Sequence, residues 1–471
     1  MKKFLLIGAT ALMVSNSTFA GGVLTNTNQN ATFLRNPARN AAIAIDGVYS
    51  NPAGIAFLPE GFHLSVSWQA AFQKRQMDAT NNLFQMNTNN QSTNRFFEGE
   101  TNAPVIPSFQ AAYVINDKWS VSAQFAVGGG GGACEFAEGL PMFEELIGGI
   151  VYKNGGTSYA LNQNLTGEQY FYGFQVGATY KLTDNFSVFG GARGVLANCN
   201  YTGAIANIKA NGKDAAEYAT LSQQAAAAAQ QYAAAGMTAE AAQYQAAAVQ
   251  AGTVAALIGD YKLDCAQSGF GITPIIGVDW NLGKLNLAAK YEFRTKIELE
   301  NESKNSDNLA MLASSVPAVA VYADGAKVRS DIPALMTLGA QYEITDNFRA
   351  MAGGVYYWDK DAKGTPIKKG DNTWEANFGL EWDVTDKIML SCGGQRTQFG
   401  FDDADMSDTN FFTGCSSLAI GGAYKFSEKM KLNVGYMHSF YDNHKFTNAN
   451  GTACSYTRMN DAVGVSLDIA F

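Results

Sequence analysis

The sequence predicts an all-β fold: a fourteen-stranded antiparallel transmembrane β-barrel with a helical extracellular loop. Three observations carry this. Six aromatic-flanked strand patterns break at a short polar turn and resume at once, at Tyr113–Ser120, Tyr180–Val188, Asp279–Asn286, Tyr342–Arg349, Glu381–Met389 and Tyr424–Leu432. Turns of two or three residues rich in Asp, Asn and Gly are hairpin turns, and the connections between them are much longer and more varied. If both ends of the barrel sit on the short-turn side, six turns imply seven long loops and fourteen strands. Second, Asp461–Phe471 alternates strictly: Val463, Val465, Leu467, Ile469 and Phe471 share one face, and Ala462, Gly464, Ser466, Asp468 and Ala470 the other. That is a membrane-crossing strand in length and period. Third, the chain reads as exported yet has no helical anchor.

Taken in order, residues 1–20 read as a secretory signal peptide. Lys2 and Lys3 precede the apolar stretch Phe4–Val14, and Thr18-Phe19-Ala20 is a small-residue cleavage site. No stretch approaches about 20 consecutive apolar residues, so no helix is expected to span a membrane. Residues 62–471 form the expected barrel. Within the barrel, Trp374–Asp383 alternates most clearly. Trp374, Ala376, Phe378, Leu380 and Trp382 should face lipid, and Glu375, Asn377, Gly379, Glu381 and Asp383 the lumen.

The strand Leu287–Leu299 puts Lys290, Glu292, Arg294, Lys296 and Glu298 on one parity. Lys or Arg facing lipid at midplane costs about 2–4 kcal/mol, so these five are expected in the lumen. They form either an interior salt-bridge ladder or, through Arg294 or Lys296, a partner for a ligand carboxylate.

The loop Tyr201–Asp264 is Ala- and Gln-rich and predicts a helical hairpin, with Asp214 and Glu217 as a capping arrangement, Gly236 as a stop and Thr238 as a second N-cap. Tyr218, Leu221 and Tyr232 form a stripe that either packs helix on helix or makes an apolar groove. A second apolar loop, Asn308–Ala323, presents Leu309, Met311 and Leu312 as candidate substrate contacts, unless it packs on the hairpin. The run Gly128, Gly129, Gly130, Gly131 and Gly132 ends the strand that begins at Trp119. It is either a loose loop entrance or a broken strand opening a side window in the wall.

Six cysteines in an exported chain admit disulfides. Cys199 and Cys265 bracket the longest loop and are the favoured pair. Cys392 and Cys415 also flank a loop, but their parities place Cys392 on the lipid face and Cys415 on the lumen face. Cys134 and Cys454 stay unassigned.

The net charge of −9 becomes −11 once Lys2 and Lys3 leave with the signal peptide. With no basic stripe, nucleic acid is excluded as a partner. An enzyme is not expected: only His63, His438 and His444 could supply an imidazole, and no Gly-x-Ser-x-Gly elbow is present. No metal or other cofactor is expected.

The segment Ala41–Trp68, with its small residues Ala42–Ala44, Asp46 and Asn51-Pro52-Ala53-Gly54, resembles the N-terminal region of the FadL/TodX family of outer-membrane transporters of long-chain fatty acids and other hydrophobic compounds. Asp331–Trp358 resembles the family's Pro-led hairpin. The resemblance runs from about residue 21 to Phe471, with poorly matched loops, and the Ala-rich hairpin departs from the family pattern. It implies a monomeric, outer-membrane barrel plugged by a small N-terminal hatch plug, residues 21–61, which carries gating residues Asn51, Pro52 and Ala53. Apolar ligand would be caught among extracellular loops, pass to a pocket in the barrel, and leave sideways at a kinked third strand into outer-membrane lipid. The alternatives are an open porin for polar solutes and an adhesive barrel.

Overall fold

Side chains that alternate in hydrophobicity can be satisfied only if one face of the sheet meets lipid and the other is covered, and the wall does both by closing on itself. A computed structural model of the chain describes residues 30–314, 317–364 and 370–471. The expected signal peptide and the first part of the expected hatch, residues 1–29, lie outside the described residues.

The wall has fourteen antiparallel strands: β1 Gly61–Thr80, β2 Asn94–Val114, β3 Trp119–Phe136, β4 Tyr159–Thr183, β5 Phe186–Ala210, β6 Tyr261–Asn281, β7 Leu285–Ser303, β8 Lys327–Thr345, β9 Phe348–Tyr357, β10 Trp374–Asp383, β11 Ile388–Gln398, β12 Cys415–Ser427, β13 Met430–Thr447 and β14 Ala453–Ala470. Of these, β7, β8 and β13 are each interrupted once, at 293–297, 330–334 and 442–443. The barrel closes where β1 pairs with both β2 and β14. Gly61 and Phe471 meet at the tight-turn end, where the Phe471 N–H donates to Phe62 O at 2.9 Å. Both ends of the barrel therefore sit on the short-turn side, as the turn count requires.

Outward positions carry the apolar belt. Trp374, Phe378, Leu380 and Trp382 of β10 are exposed while Glu375, Asn377 and Glu381 are buried. Near the tight turns, Tyr113, Trp119, Trp280, Tyr342 and Trp382 form the lower aromatic girdle. No helix among the described residues is long and apolar enough to cross a membrane.

The helices are α1 Gly47–Ser50, α2 Pro141–Lys153, α3 Ala215–Ala234, α4 Thr238–Leu257, α5 Asp307–Ala313 and α6 Pro317–Ala320. Asp214 and Glu217 form a complete capping box at α3. At α4 the N-cap is Met237 rather than Thr238, and it makes no side-chain cap bond. The long loop is shorter than expected, because β5 runs on to Ala210 and β6 starts at Tyr261. The stripe divides: Tyr232 stacks on Tyr244 with centroids 5.0 Å apart, whereas Tyr218 packs into the loop core. That core joins α2, α4 and α5 over the barrel mouth through Ile147, Val254, Ile258 and Leu312.

Candidate functional site

Residues 30–60 lie inside the barrel and rest on a shelf of wall glycines. A side chain there would collide with their backbone: an added Cβ at Gly435 would lie 2.6 Å from Arg35 N, and at Gly339 2.6 Å from Asn40 C. Two sets of bonds hold the segment. Its first half is fixed by charge. Glu381 of β10 accepts from Arg35 at 2.6 Å, Arg39 at 3.0 Å and Arg349 at 2.7 Å, and Asp46 accepts from Arg39 at 2.8 Å. Burial alone would raise the Asp46 carboxyl, but the Arg39 guanidinium overrides this and holds it below its ordinary value. The second half is fixed by hydrogen bonds. Asn51 caps the turn Pro52–Phe57 by accepting from Gly54 N, and its amide donates to Asp279 at 2.5 Å. Pro52 O accepts from Thr179 and Ala53 O from Ser187, at 2.8 and 2.7 Å. Asn51, Pro52 and Ala53 therefore anchor the segment to β4, β5 and β6.

Above this plug lies a cavity of about 280 Å³, lined on its floor and sides by Leu34, Ile106, Val127, Leu165 and Met437 and higher up by Arg75, Phe412, Tyr441 and Arg458. Its size is near the lower end for small-molecule sites, about 300–1,000 Å³. On the tight-turn side of the plug a separate cavity of about 460 Å³ is polar, with Arg35, Lys284, Arg349, Lys387 and Lys431 among its walls. The plug thus divides an apolar chamber from a charged vestibule.

One stretch of the apolar chamber's wall lacks ladder pairing. Strands β2 and β3 pair from Ser108↔Ala126 downward and at Thr101↔Cys134, with no paired residues between. Pro104 and Pro107 have no N–H to give. The opposing β3 residues include the glycine run, bulged between Val127/Gly129 and Gly130/Gly132, with Gly130 at φ +71°. Pro104 O instead accepts from the lipid-facing Trp68 indole at 3.0 Å, which satisfies a carbonyl that lipid cannot. The cavity reaches this stretch through Ala103, Ile106, Val127, Gly129, Gly130 and Gly132. Contrary to the sequence expectation, β3 does not end at Gly128. It continues to Phe136, bonded to β4 throughout, because the bulges absorb the glycines on one edge only.

Other expected site residues fall elsewhere. Lys290 and Glu292 face the lumen, paired at 2.8 Å, and Glu292 also holds Arg193 at 2.7 Å. Both cations lie over the Tyr49 ring of the plug, at 4.2 and 5.1 Å. The break at 293–297 then flips the parity, so Lys296 and Glu298 are exposed while Thr295, Ile297 and Leu299 are buried. Arg294 sits in the break and reaches Asp331 at 3.7 Å and Asp361 O. The neighbouring strand breaks at the same level, joined by the bridge Thr295↔Ile332, and Pro333 of that strand was the available signal. Leu309 and Leu312 pack into the loop core, and Met311 is half-buried beside them.

Cys199 and Cys265 are free buried thiols, a correction to the expected disulfide. Cys199 faces Gln267 and Cys265 faces Tyr201. The two are diagonal neighbours, and diagonal positions lie about 7–8 Å apart, beyond disulfide reach. Cys392 is exposed and Cys415 buried, as their parities require.

The mouth is capped by α2. Asp408 accepts from Met142 N at 2.7 Å and from the Tyr456 hydroxyl, while Glu145 accepts from Asn448 at 2.9 Å and from Thr452. Burial and the nearby Glu145 carboxylate push Asp408 up to about 7, and burial also raises Glu144. The packed cap thus holds a proton that a freed loop, with an Asp near 3.9, would release. This contribution is fully present below about pH 4 and is lost as pH rises through about 7. Amides of α2 will show lower hydrogen-exchange protection at pH 8 than at pH 5.5 after correction for intrinsic rates. Asp408→Asn will flatten most of that difference.

No family model and no curated protein matches the chain. Solved structures do. A FadL homologue of Pseudomonas aeruginosa aligns over 96% of this chain and 100% of its own, with TM-score 0.63 and 13% identity. The toluene transporter TodX of Pseudomonas putida aligns over 91% and 94%, with TM-score 0.55 and 13% identity. The toluene transporter TbuX of Ralstonia pickettii aligns over 95% and 99%, with TM-score 0.53 and 12% identity. At such identities the likeness is one of architecture, and the chain has the fold of the FadL/TodX-type barrels.

Proposed function

We propose that this protein is a passive conduit for hydrophobic molecules across the bacterial outer membrane, with residues 30–60 as its hatch. The observation that carries the reading is the apolar cavity ending at the unpaired stretch between β2 and β3, above a plug that closes the way down. An apolar chain gains about 0.8 kcal/mol per buried CH₂, so a largely apolar chamber that ends at the unpaired stretch of wall gives it a route with little return to water. A polar solute finds only a blocked lumen. The fold shared with a FadL homologue and two toluene transporters supports the same reading. Fatty acids and aromatic hydrocarbons are the candidate classes, and no energy source is required.

The test is uptake by cells whose own hydrophobe transporter is deleted. Expression of this chain will raise uptake of labelled dodecanoate or toluene without raising permeability to a small sugar. Increased sugar entry with no gain in hydrophobe uptake refutes the proposal.

A further inference from the structure

We propose that Asp279 of β6 and Asn286 of β7 share a proton, and that this proton is the catch on the Asn51 turn, so that the second half of the hatch loosens as the pH rises. The inference rests on the reading of residues 30–60 as a hatch. The two side chains face the plug from adjacent strands and are 0% and 4% exposed. They are already joined, since Asn286 Nδ2 donates to Asp279 Oδ2 at 2.9 Å. Each nevertheless ends in a buried oxygen, Asp279 Oδ1 and Asn286 Oδ1, that has no hydrogen-bond partner among the described residues.

The bonds around the pair leave little freedom. Asp279 Oδ2 accepts from Asn51 Nδ2 and from Asn286 Nδ2, at 2.5 and 2.9 Å, which uses both of its lone pairs. The other Asn286 amide hydrogen goes to Ala41 O at 2.8 Å, so turning the amide over would give that bond up. Two acceptor oxygens cannot bond each other, and leaving both bare costs the desolvation of each. A proton on Asp279 Oδ1 removes the conflict. It makes Oδ1 a donor and leaves Asn286 Oδ1 as its acceptor, the two-bond pairing of a carboxylic acid with a primary amide.

Among the described residues, the groups packed around Asp279 pair no cation with it. On β5, Ser187 lies opposite, and its hydroxyl is given to Ala53 O. On β7, Ala288 lies opposite, and Lys290 beyond it is held by Glu292 and Tyr49 O, at 2.8 and 2.7 Å. From the plug, Arg39 is committed to Asp46 and Glu381. Lys284 and Glu343 stand in the wall of the charged vestibule below. An ionised carboxylate buried without a cation is strongly disfavoured. Ionisation of Asp279 therefore favours a hatch that has moved and let water reach the group, and the proton passes to that water. Seating the hatch takes up one proton, so closure is favoured at low pH and lost progressively as the pH rises.

Hydrogen exchange of the full-length protein in nanodiscs at pH 6 and pH 8.5, followed on a peptide covering residues 51–57 and corrected for intrinsic rates, tests this. Wild-type protection will fall with pH, by up to about tenfold per pH unit, the limit for release of one proton. Asp279→Asn puts a permanent donor where the proton sits, and its protection will be the same at both pH values. The infrared band of protonated carboxylic acid seen in the wild type at pH 6 will be weaker in Asp279→Asn. If Asp279→Asn fails to fold, Asp279→Ser, which cannot titrate, will likewise show no response to pH. His63, whose ring bonds Pro59 O at 2.8 Å, is intact in both variants, so a response that persists in them belongs elsewhere. Wild-type protection that ignores pH, or a response that survives in a folded Asp279→Asn protein, overturns the catch and leaves the conduit standing. Failed uptake of hydrophobe overturns the conduit and leaves the proton in place.

Discussion

Tying β2 to β3 across their unpaired stretch will abolish hydrophobe uptake. In a Cys134→Ala background, Ala103→Cys with Gly132→Cys places two thiols where a bond can form. An added Cβ at Gly132 lies 3.0 Å from Ala103 Cβ, and a disulfide spans about 3.5–4.5 Å between Cβ atoms, so a small separation of the strands accommodates it. The bond replaces missing ladder hydrogen bonds with a covalent link and keeps the two edges from parting. Oxidised protein will take up hydrophobe only at the level of cells lacking it, and reductant will restore uptake. Barrel folding is unaffected, because the β3–β4 ladder that carries β3 is untouched. Unchanged uptake with the cross-link verified by mass rules out exit at this edge.

Removing the charge of Glu381 will loosen the hatch. This one carboxylate answers Arg35, Arg39 and Arg349. In Glu381→Gln, Arg39 keeps Asp46 and Arg349 keeps Asp383, at 2.8 Å each. Arg35 is then left, among the described residues, with a neutral amide oxygen at position 381 and a 3.6 Å contact of Nη1 with Met389 Sδ, and its Nε has no acceptor there. Breaking a buried pair by removing one partner costs about 3–5 kcal/mol. That cost falls on the plug's first half, while the second half stays anchored at Asn51 and Ala53. The variant will keep its barrel, lose thermal stability, and conduct ions steadily in planar bilayers where the wild type is closed. Arg35→Met in the same chain will recover part of the stability, since it removes the stranded cation. A Glu381→Gln protein with wild-type stability and conductance contradicts this role.

Much of the wall was legible because period-2 alternation and tight turns are local signals. Trp374–Asp383, Asp461–Phe471 and all six turns needed no distant partner to be read. Alternation misleads where it runs through a feature that resets parity. Lys296 and Glu298 were carried to the wrong face because the break at 293–297 forms only opposite a matching break that includes Pro333. The glycine run is plain in the sequence, but its consequence depends on Pro104 and Pro107 on another strand, and only register brings them together. The same holds for Cys199 and Cys265, where two residues of stagger decide between a bond and two free thiols. The pairing of Asp279 with Asn286 is hidden for a plainer reason. The two bound one of the six turns and read as ordinary turn polarity, and Asn51, which joins them, lies 228 residues before Asp279.

In the proposed route, apolar molecules enter the cavity above the plug and leave through the β2–β3 edge. Photolabelling with a fatty acid carrying a diazirine at its tail end tests it most directly, with labelled residues identified by mass spectrometry. Labels are expected on Leu34, Ile106 and Val127 and on the lipid-facing Val105 beside the unpaired stretch. Labels concentrated below the plug, around Lys284, Arg349 and Lys387, would mean that the ligand passes straight down the barrel and would contradict it.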